Sequence, residues 1–142
     1  MKKIRILEQW CLGCRLCEYN CAYANSGIKD MVIALKDKEI KPKLVIESKG
    51  HITFALSCRH CDNPLCVKSC ISGALTREGG VTKLNRDKCV GCQTCVLVCP
   101  YGAIVVSEGG IVDKCELCQD NEEGEPRCVK SCPNGAIIFE EV

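Results

Sequence analysis

Short apolar runs punctuated by glycine set the pattern of this chain. Residues 4–7 read as a strand. Residues 44–47 and 51–56 suit two more, rich in β-branched and aliphatic side chains, with Ser48-Lys49-Gly50 as the turn between them. Ser72-Gly73-Ala74-Leu75-Thr76, Gly79-Gly80 and Val81-Thr82-Lys83-Leu84 predict a second hairpin. Residues 103–107 predict a strand that Gly109-Gly110 turns into Ile111-Val112-Asp113, and residues 136–140 predict a closing strand. Residues 25–43 are polar and charged, carry Gly27 and Pro42, and read as a connection holding one short helix.

Cysteine interrupts this pattern at regular intervals. Cys89-Val-Gly-Cys92-Gln-Thr-Cys95-Val-Leu-Val-Cys99-Pro100 places three cysteines at three-residue steps, then a fourth one helical turn on. This is the spacing of a bacterial-type ferredoxin run, in which three thiolates hold one [4Fe–4S] cube and the fourth serves another. Pro100 has no N–H and stops the helix. Gly91 stands where the loop passes close to inorganic sulfide, an approach that a Cβ would crowd. Cys11-Leu-Gly-Cys14-Arg-Leu-Cys17-Glu-Tyr-Asn-Cys21 repeats the spacing, but Ala22 replaces the proline, so its helix continues through Tyr23 and Ala24. Trp10 before it reads as an apolar cover over the group.

Two groups are looser. Cys58-Arg-His-Cys61-Asp-Asn-Pro-Leu-Cys66-Val-Lys-Ser-Cys70 has two extra residues before its third cysteine. Cys115-Glu-Leu-Cys118 is followed, after an acidic loop over residues 119–127, by Cys128-Val-Lys-Ser-Cys132. His60 lies inside the first of these. Each group already has four thiols, so His60 reads as a hydrogen-bonding residue rather than a ligand. Cys70-Ile-Ser-Gly73-Ala74-Leu75, Cys99-Pro-Tyr-Gly102-Ala103-Ile104 and Cys132-Pro-Asn-Gly135-Ala136-Ile137 repeat one pattern, which the first group breaks.

Composition narrows the chemistry. Of 142 residues 16 are cysteine and only 4% are aromatic, so the chain is a poor candidate for a core without something inorganic or covalent in it. Disulfides would fit an oxidising compartment, but residues 1–10 lack the apolar stretch of a secretion signal, and a reducing cytoplasm is expected. Zinc would favour two Cys-x-x-Cys pairs with a spacer rather than three consecutive steps. No apolar run is long enough to span a bilayer, and no direct membrane insertion is expected. With two histidines, no phosphate-cradling glycine loop and no spare cysteine, no catalytic residues are expected. Neither a basic face nor stacking aromatics point to nucleic acid. Net charge is +1 before metal is counted. A cube with four thiolates carries about −2, so four would take the chain to roughly −7. Arg15, Arg59, Lys68, Lys88, Lys114, Arg127 and Lys130 stand beside cysteines. They fit local compensation of that charge and a solvated basic surface equally well.

The order of the groups, with lengthened loops in the second and fourth, resembles the four-cluster ferredoxin-like subunits of anaerobic oxidoreductases, among them the iron–sulfur subunits of dimethyl sulfoxide reductase, formate dehydrogenase and hydrogenase complexes. Ser57-Cys58-Arg59-His60-Cys61-Asp62-Asn63-Pro64-Leu65-Cys66 and Ile71-Ser72-Gly73-Ala74-Leu75 most resemble the CooF-type partner of nickel–iron carbon monoxide dehydrogenase. The resemblance implies an α+β fold of two bacterial-type ferredoxin-like modules, one inserted in the other. The outer module takes residues 1–51 and 111–142, and the inserted one residues 52–110. With the fourth cysteine of each run serving the neighbouring cube, the nesting implies four ligand sets. These are Cys11, Cys14, Cys17 and Cys132; Cys21, Cys115, Cys118 and Cys128; Cys58, Cys61, Cys66 and Cys99; and Cys70, Cys89, Cys92 and Cys95. The expected function is a wire of four [4Fe–4S] clusters from carbon monoxide dehydrogenase to a hydrogenase or a flavin-dependent NAD(P) reductase. One alternative is an iron–sulfur subunit of a formate dehydrogenase, hydrogenase or molybdopterin oxidoreductase complex. Another is a structural or regulatory subunit whose clusters only stabilise the fold.

Overall fold

The computed structural model describes residues 2–119 and 123–141. Residues 1 and 142, the expected outer limits, and residues 120–122 of the expected acidic loop lie outside them. The elements run β1 (Lys2–Ile6), α1 (Leu16–Asn25), α2 (Met31–Leu35), β2 (Val45–Lys49), β3 (Ile52–Leu56), α3 (Leu65–Ser69), β4 (Leu75–Glu78), β5 (Val81–Leu84), α4 (Thr94–Val98), β6 (Val105–Val106), β7 (Val112–Asp113), α5 (Arg127–Ser131) and β8 (Ile137–Glu141). Among the described residues the strands form two-stranded antiparallel ribbons: β1 with β8, β2 with β3, β4 with β5 and β6 with β7. The two ends of the chain are thereby zipped together, Lys2 opposite Glu141 and Ile6 opposite Ile137.

Local sequence explains most boundaries. Asp30 caps α2, accepting the N–H groups of Val32 and Ile33. β2 runs on through Ser48 and Lys49, two residues into the expected turn, because Lys49 pairs directly with Ile52. The reversal is left to Gly50, at φ +64°, and His51. β6 is shorter than expected, covering Val105 and Val106 alone, and Ala103 and Ile104 before it are buried, at 5% and 6% exposure. α1 extends through Tyr23 and Ala24, as the missing proline predicts. α4 stops at Val98, two residues ahead of Pro100. α3 stops at the equivalent place with no proline after it. The feature common to these ends is the left-handed glycine three residues past the last cysteine, at φ +69°, +60° and +62° for Gly73, Gly102 and Gly135.

α1 packs on α5, and α3 on α4. Two buried clusters follow. One joins Cys17, Cys21 and Cys128 to Leu44, Ile46 and Ile137; the other joins Cys95 to Leu75, Ile104 and Val112. β3, expected at the start of the inserted module, is bonded to β2, and its Ala55 lies in the first cluster. β7, expected in the outer module, is bonded to β6, and its Val112 lies in the second.

Candidate metal centre

Each cysteine group opens with the same bend. The residue just before the second cysteine has positive φ in all four: Gly13 (+69°), His60 (+46°), Gly91 (+74°) and Leu117 (+60°). A left-handed conformation costs a residue with a side chain about 1–2 kcal/mol, so glycine is the cheaper choice and the second and fourth groups hold the bend against strain. The bend turns backbone N–H groups toward sulfur. His60 N–H lies 3.5 Å from Cys58 Sγ, and Leu117 N–H lies 3.4 Å from Cys115 Sγ. At Gly91 a Cβ would also stand 3.0 Å from the Gly110 carbonyl oxygen, so protein backbone crowds this site whatever the cluster does.

Three cavities are each lined by three thiols of one group and a fourth from another. Cys58, Cys61, Cys66 and Cys99 line one cavity of about 220 Å³. Cys21, Cys115, Cys118 and Cys128 line another of about 200 Å³. Cys11, Cys14, Cys17 and Cys132 line a narrower cleft of about 20 Å³. Burial pushes the Cys95 thiol up, and the nearby Cys70, Cys89 and Cys92 thiols push the same way. Burial also drives Cys17 and Cys115 up to about 12, and raises Cys128, with Cys115, Cys21 and Cys118 adding to it. Such thiols do not ionise alone; they become thiolates by binding metal. Among the described residues no three His, Cys, Asp or Glu side chains converge tightly enough to hold a single ion. Quartets spread around cavities suit a polynuclear group, and iron–sulfur cubes are the group that takes four thiolates in this way.

Further donors face these sulfurs. Lys43 N–H reaches Cys21 Sγ at 3.2 Å and Ala136 N–H reaches Cys132 Sγ at 3.2 Å. The Thr94 backbone and hydroxyl hold the exposed Cys92 below the ordinary thiol range. The alanines of the repeat, Ala74, Ala103 and Ala136, are buried at 1%, 5% and 1% exposure, which leaves the left-handed glycine before each to make the turn.

His60 takes the structural role expected of it. It is buried, its Nδ1 accepts the Thr82 N–H at 3.0 Å, and burial beside Lys114 pushes its pKa down to about 3. Trp10 does not take the role expected of it. It is 53% exposed and outside the walls of the adjacent cleft, because its 3-10 turn is held by Asn134, which bonds the Trp10 carbonyl, and Ile6, Leu12 and Ile46 form the lining instead. The basic residues divide. Arg15 pairs with Glu18, and Arg127 and Lys130 with Glu123; Lys68 bonds Asn63 and Arg59 lies over the Tyr101 ring. Lys114 alone of these is fully buried. Sequence reasoning missed two carboxylates that act as backbone acceptors: Glu18 for Ile46 N–H at 2.6 Å and Glu116 for Leu84 N–H at 2.7 Å. Their only local signal is an acidic residue directly after a ligand-type cysteine.

Comparison with known proteins agrees with this chemistry. Residues 50–142 match the 4Fe-4S dicluster domain, and residues 8–24 match a 4Fe-4S binding domain. The electron transport protein HydN of Escherichia coli (strain K12) is 33% identical over 130 residues, covering 80% of this chain and 74% of its own. An iron-sulfur protein of Rhodospirillum rubrum is 34% identical over 122 residues, 78% of this chain and 64% of its own. The thiosulfate reductase electron transfer subunit PhsB of Salmonella typhi is 31% identical over 119 residues, 80% of this chain and 60% of its own. In the putative oxidoreductase UacF of Escherichia coli (strain K12) the chain spans only 17% of the relative's length, at 32% identity over 80% of this chain. The BamBC active-site complex of benzoyl coenzyme A reductase shares the fold, with a TM-score of 0.53 at 20% identity over 99% of this chain and 79% of that one. No helix among the described residues is long and apolar enough to cross a membrane. The chain belongs to the 4Fe-4S dicluster domain family and is an iron–sulfur electron-transfer protein carrying four [4Fe–4S] clusters.

Proposed function

We propose that the chain is a wire that takes low-potential electrons from carbon monoxide dehydrogenase and passes them to a hydrogenase or a flavin-dependent NAD(P) reductase. The observation that carries the wire is the closeness of successive thiol quartets. Cys115 lies near enough to both Cys21 and Cys58 for their charges to act on it, and Cys128 near enough to Cys17. The four ligand sets named from the sequence are the reading we adopt, in two nested modules. α1 packing on α5 and α3 on α4 supports the nesting. The pairing of β3 with β2 and of β7 with β6 argues for seams after β3 and after β7. The choice of carbon monoxide dehydrogenase rests on the Ser57–Cys66 and Ile71–Leu75 segments. Similarity to a thiosulfate reductase electron transfer subunit favours, as a second reading, service to another reductase complex.

Anaerobic mixing with carbon monoxide dehydrogenase and carbon monoxide tests the assignment. The visible absorbance of the clusters should bleach within the turnover of the enzyme, then return on adding hydrogenase and protons. A protein that dithionite reduces but carbon monoxide dehydrogenase does not would remove this donor. One that is reduced by either and never re-oxidised by a partner would favour the structural alternative.

A further inference from the structure

Lys114 is 1% exposed. Its Nζ donates to the Thr82 carbonyl at 2.5 Å and to its neighbour's, Cys115, at 2.7 Å. No carboxylate among the described residues pairs with it. An ammonium has three donors, and a buried charge is costly unless paired. The walls around it show what stands in for the missing carboxylate. Lys114 lines the cavity of Cys58, Cys61, Cys66 and Cys99, together with Thr82. Through Cys115 it also adjoins the quartet of Cys21, Cys118 and Cys128. Behind it, the Thr82 N–H donates to His60 Nδ1 at 3.0 Å.

We propose that Lys114 is the internal counter-charge of the cluster held by Cys58, Cys61, Cys66 and Cys99, and that it raises the reduction potential of that cluster where electrons cross between the two modules. The inference rests on the ligand sets adopted above. One electron from a low-potential donor takes the core from 2+ to 1+ and its net charge from about −2 to about −3; no bond breaks and no proton moves. A fixed cation in a low-dielectric wall favours the added charge, and net charge is one of the factors that set such potentials. Arg59, at the solvent side of the same cavity, is exposed and its charge is screened.

Three variants test this by redox-titrated electron paramagnetic resonance with iron counted in each. Lys114→Gln keeps donors for both carbonyls but no charge, Lys114→Met keeps neither, and Lys114→Arg keeps the charge. With iron retained, Lys114→Gln and Lys114→Met should make one signal harder to reduce. At the potential that half-reduces the wild type, its reduced-to-oxidised ratio should fall at least tenfold, about 59 mV for a one-electron couple. That signal should be the one Cys61→Ser alters, and Lys114→Arg should leave it in place. Iron lost from Lys114→Gln but kept by Lys114→Arg also supports a counter-charge. Four unchanged midpoints in Lys114→Gln, a largest shift in the signal that Cys92→Ser alters, or iron lost equally from all three would overturn it. Failure of the ligand sets shows separately: Cys61→Ser and Cys99→Ser would then alter different signals in a Lys114 background.

Discussion

Cys99 donates its backbone N–H to the Cys95 carbonyl at 3.1 Å, yet the two thiols face different neighbours. Cys95 is buried near Cys70, Cys89 and Cys92, whereas Cys99 lines the cavity of Cys58, Cys61 and Cys66. A single helical turn, roughly 5.4 Å of rise, carries the chain from one quartet to the next. Cys17 and Cys21 are separated in the same way: Cys17 lines the cleft with Cys132, and Cys21 the cavity with Cys118.

Signals should therefore sort by cavity and not by run. Cys132→Ser and Cys14→Ser should perturb one electron paramagnetic resonance signal, and Cys118→Ser a different one. Cys99→Ser should likewise track Cys61→Ser and not Cys92→Ser. If Cys132→Ser tracks Cys118→Ser, each run holds its own cluster and the cross-ligated reading fails.

Removing the metal should remove the fold. The two buried clusters are built partly of cysteine, and Cys17, Cys21, Cys95 and Cys128 are among their buried members. Anaerobically prepared protein should hold about sixteen iron and sixteen sulfide, four of each per cube. Chelating that iron should abolish most of the far-ultraviolet circular dichroism, since metal binding and folding are coupled in such small domains. A stripped chain with native dichroism would mean that its apolar contacts suffice.

Two glycine substitutions separate loop strain from close approach. Gly91 and Gly102 both have positive φ, +74° and +60°. A Cβ at Gly102 meets nothing, so Gly102→Ala should cost only the left-handed strain of about 1–2 kcal/mol. At Gly91 the same Cβ would add to that strain a 3.0 Å approach to the Gly110 carbonyl oxygen, which must give way by a few tenths of an ångström. Gly91→Ala should lose its clusters on heating well before Gly102→Ala, read as the loss of visible absorbance. Equal loss would show that the Gly110 loop yields.

The parts of the site that were legible in the sequence are those with a local signature. Ligand spacing needs only a few neighbouring residues, and so does the Cys-x-x-Gly-Ala repeat, whose glycine turns the chain and whose alanine is buried. The hairpin at Gly79-Gly80 was legible for the same reason. Relationships across long stretches of chain left no such trace. The zipping of β1 to β8 and the Thr53 hydroxyl bonding the Cys11 carbonyl at 2.9 Å join residues at least 42 positions apart. Lys114 was visible only as one basic neighbour of a cysteine among seven, since sequence does not tell a solvated lysine from a buried one. Trp10 misled because adjacency to a ligand does not fix which way a ring points.

Glu18 gives the sharpest test of such a hidden role. A carboxylate beside clusters that are themselves negative looks unfavourable, and its charge does push the Cys17 thiol up, after burial. It persists because its Oε1 accepts the Ile46 N–H at 2.6 Å in a buried place, tying α1 to β2. The contact with Arg15 at 3.4 Å is on an exposed arginine and contributes little. Two substitutions pull these effects apart. Glu18→Gln keeps an oxygen for Ile46 and removes the repulsion, so it should hold its clusters at least as long as the wild type. Glu18→Ala also removes the repulsion but leaves a buried donor unpaired, at a cost of about 1–3 kcal/mol. It should therefore release iron faster in urea, read by the loss of visible absorbance. If Glu18→Ala instead matches Glu18→Gln, the Ile46 bond is not what keeps this carboxylate inside.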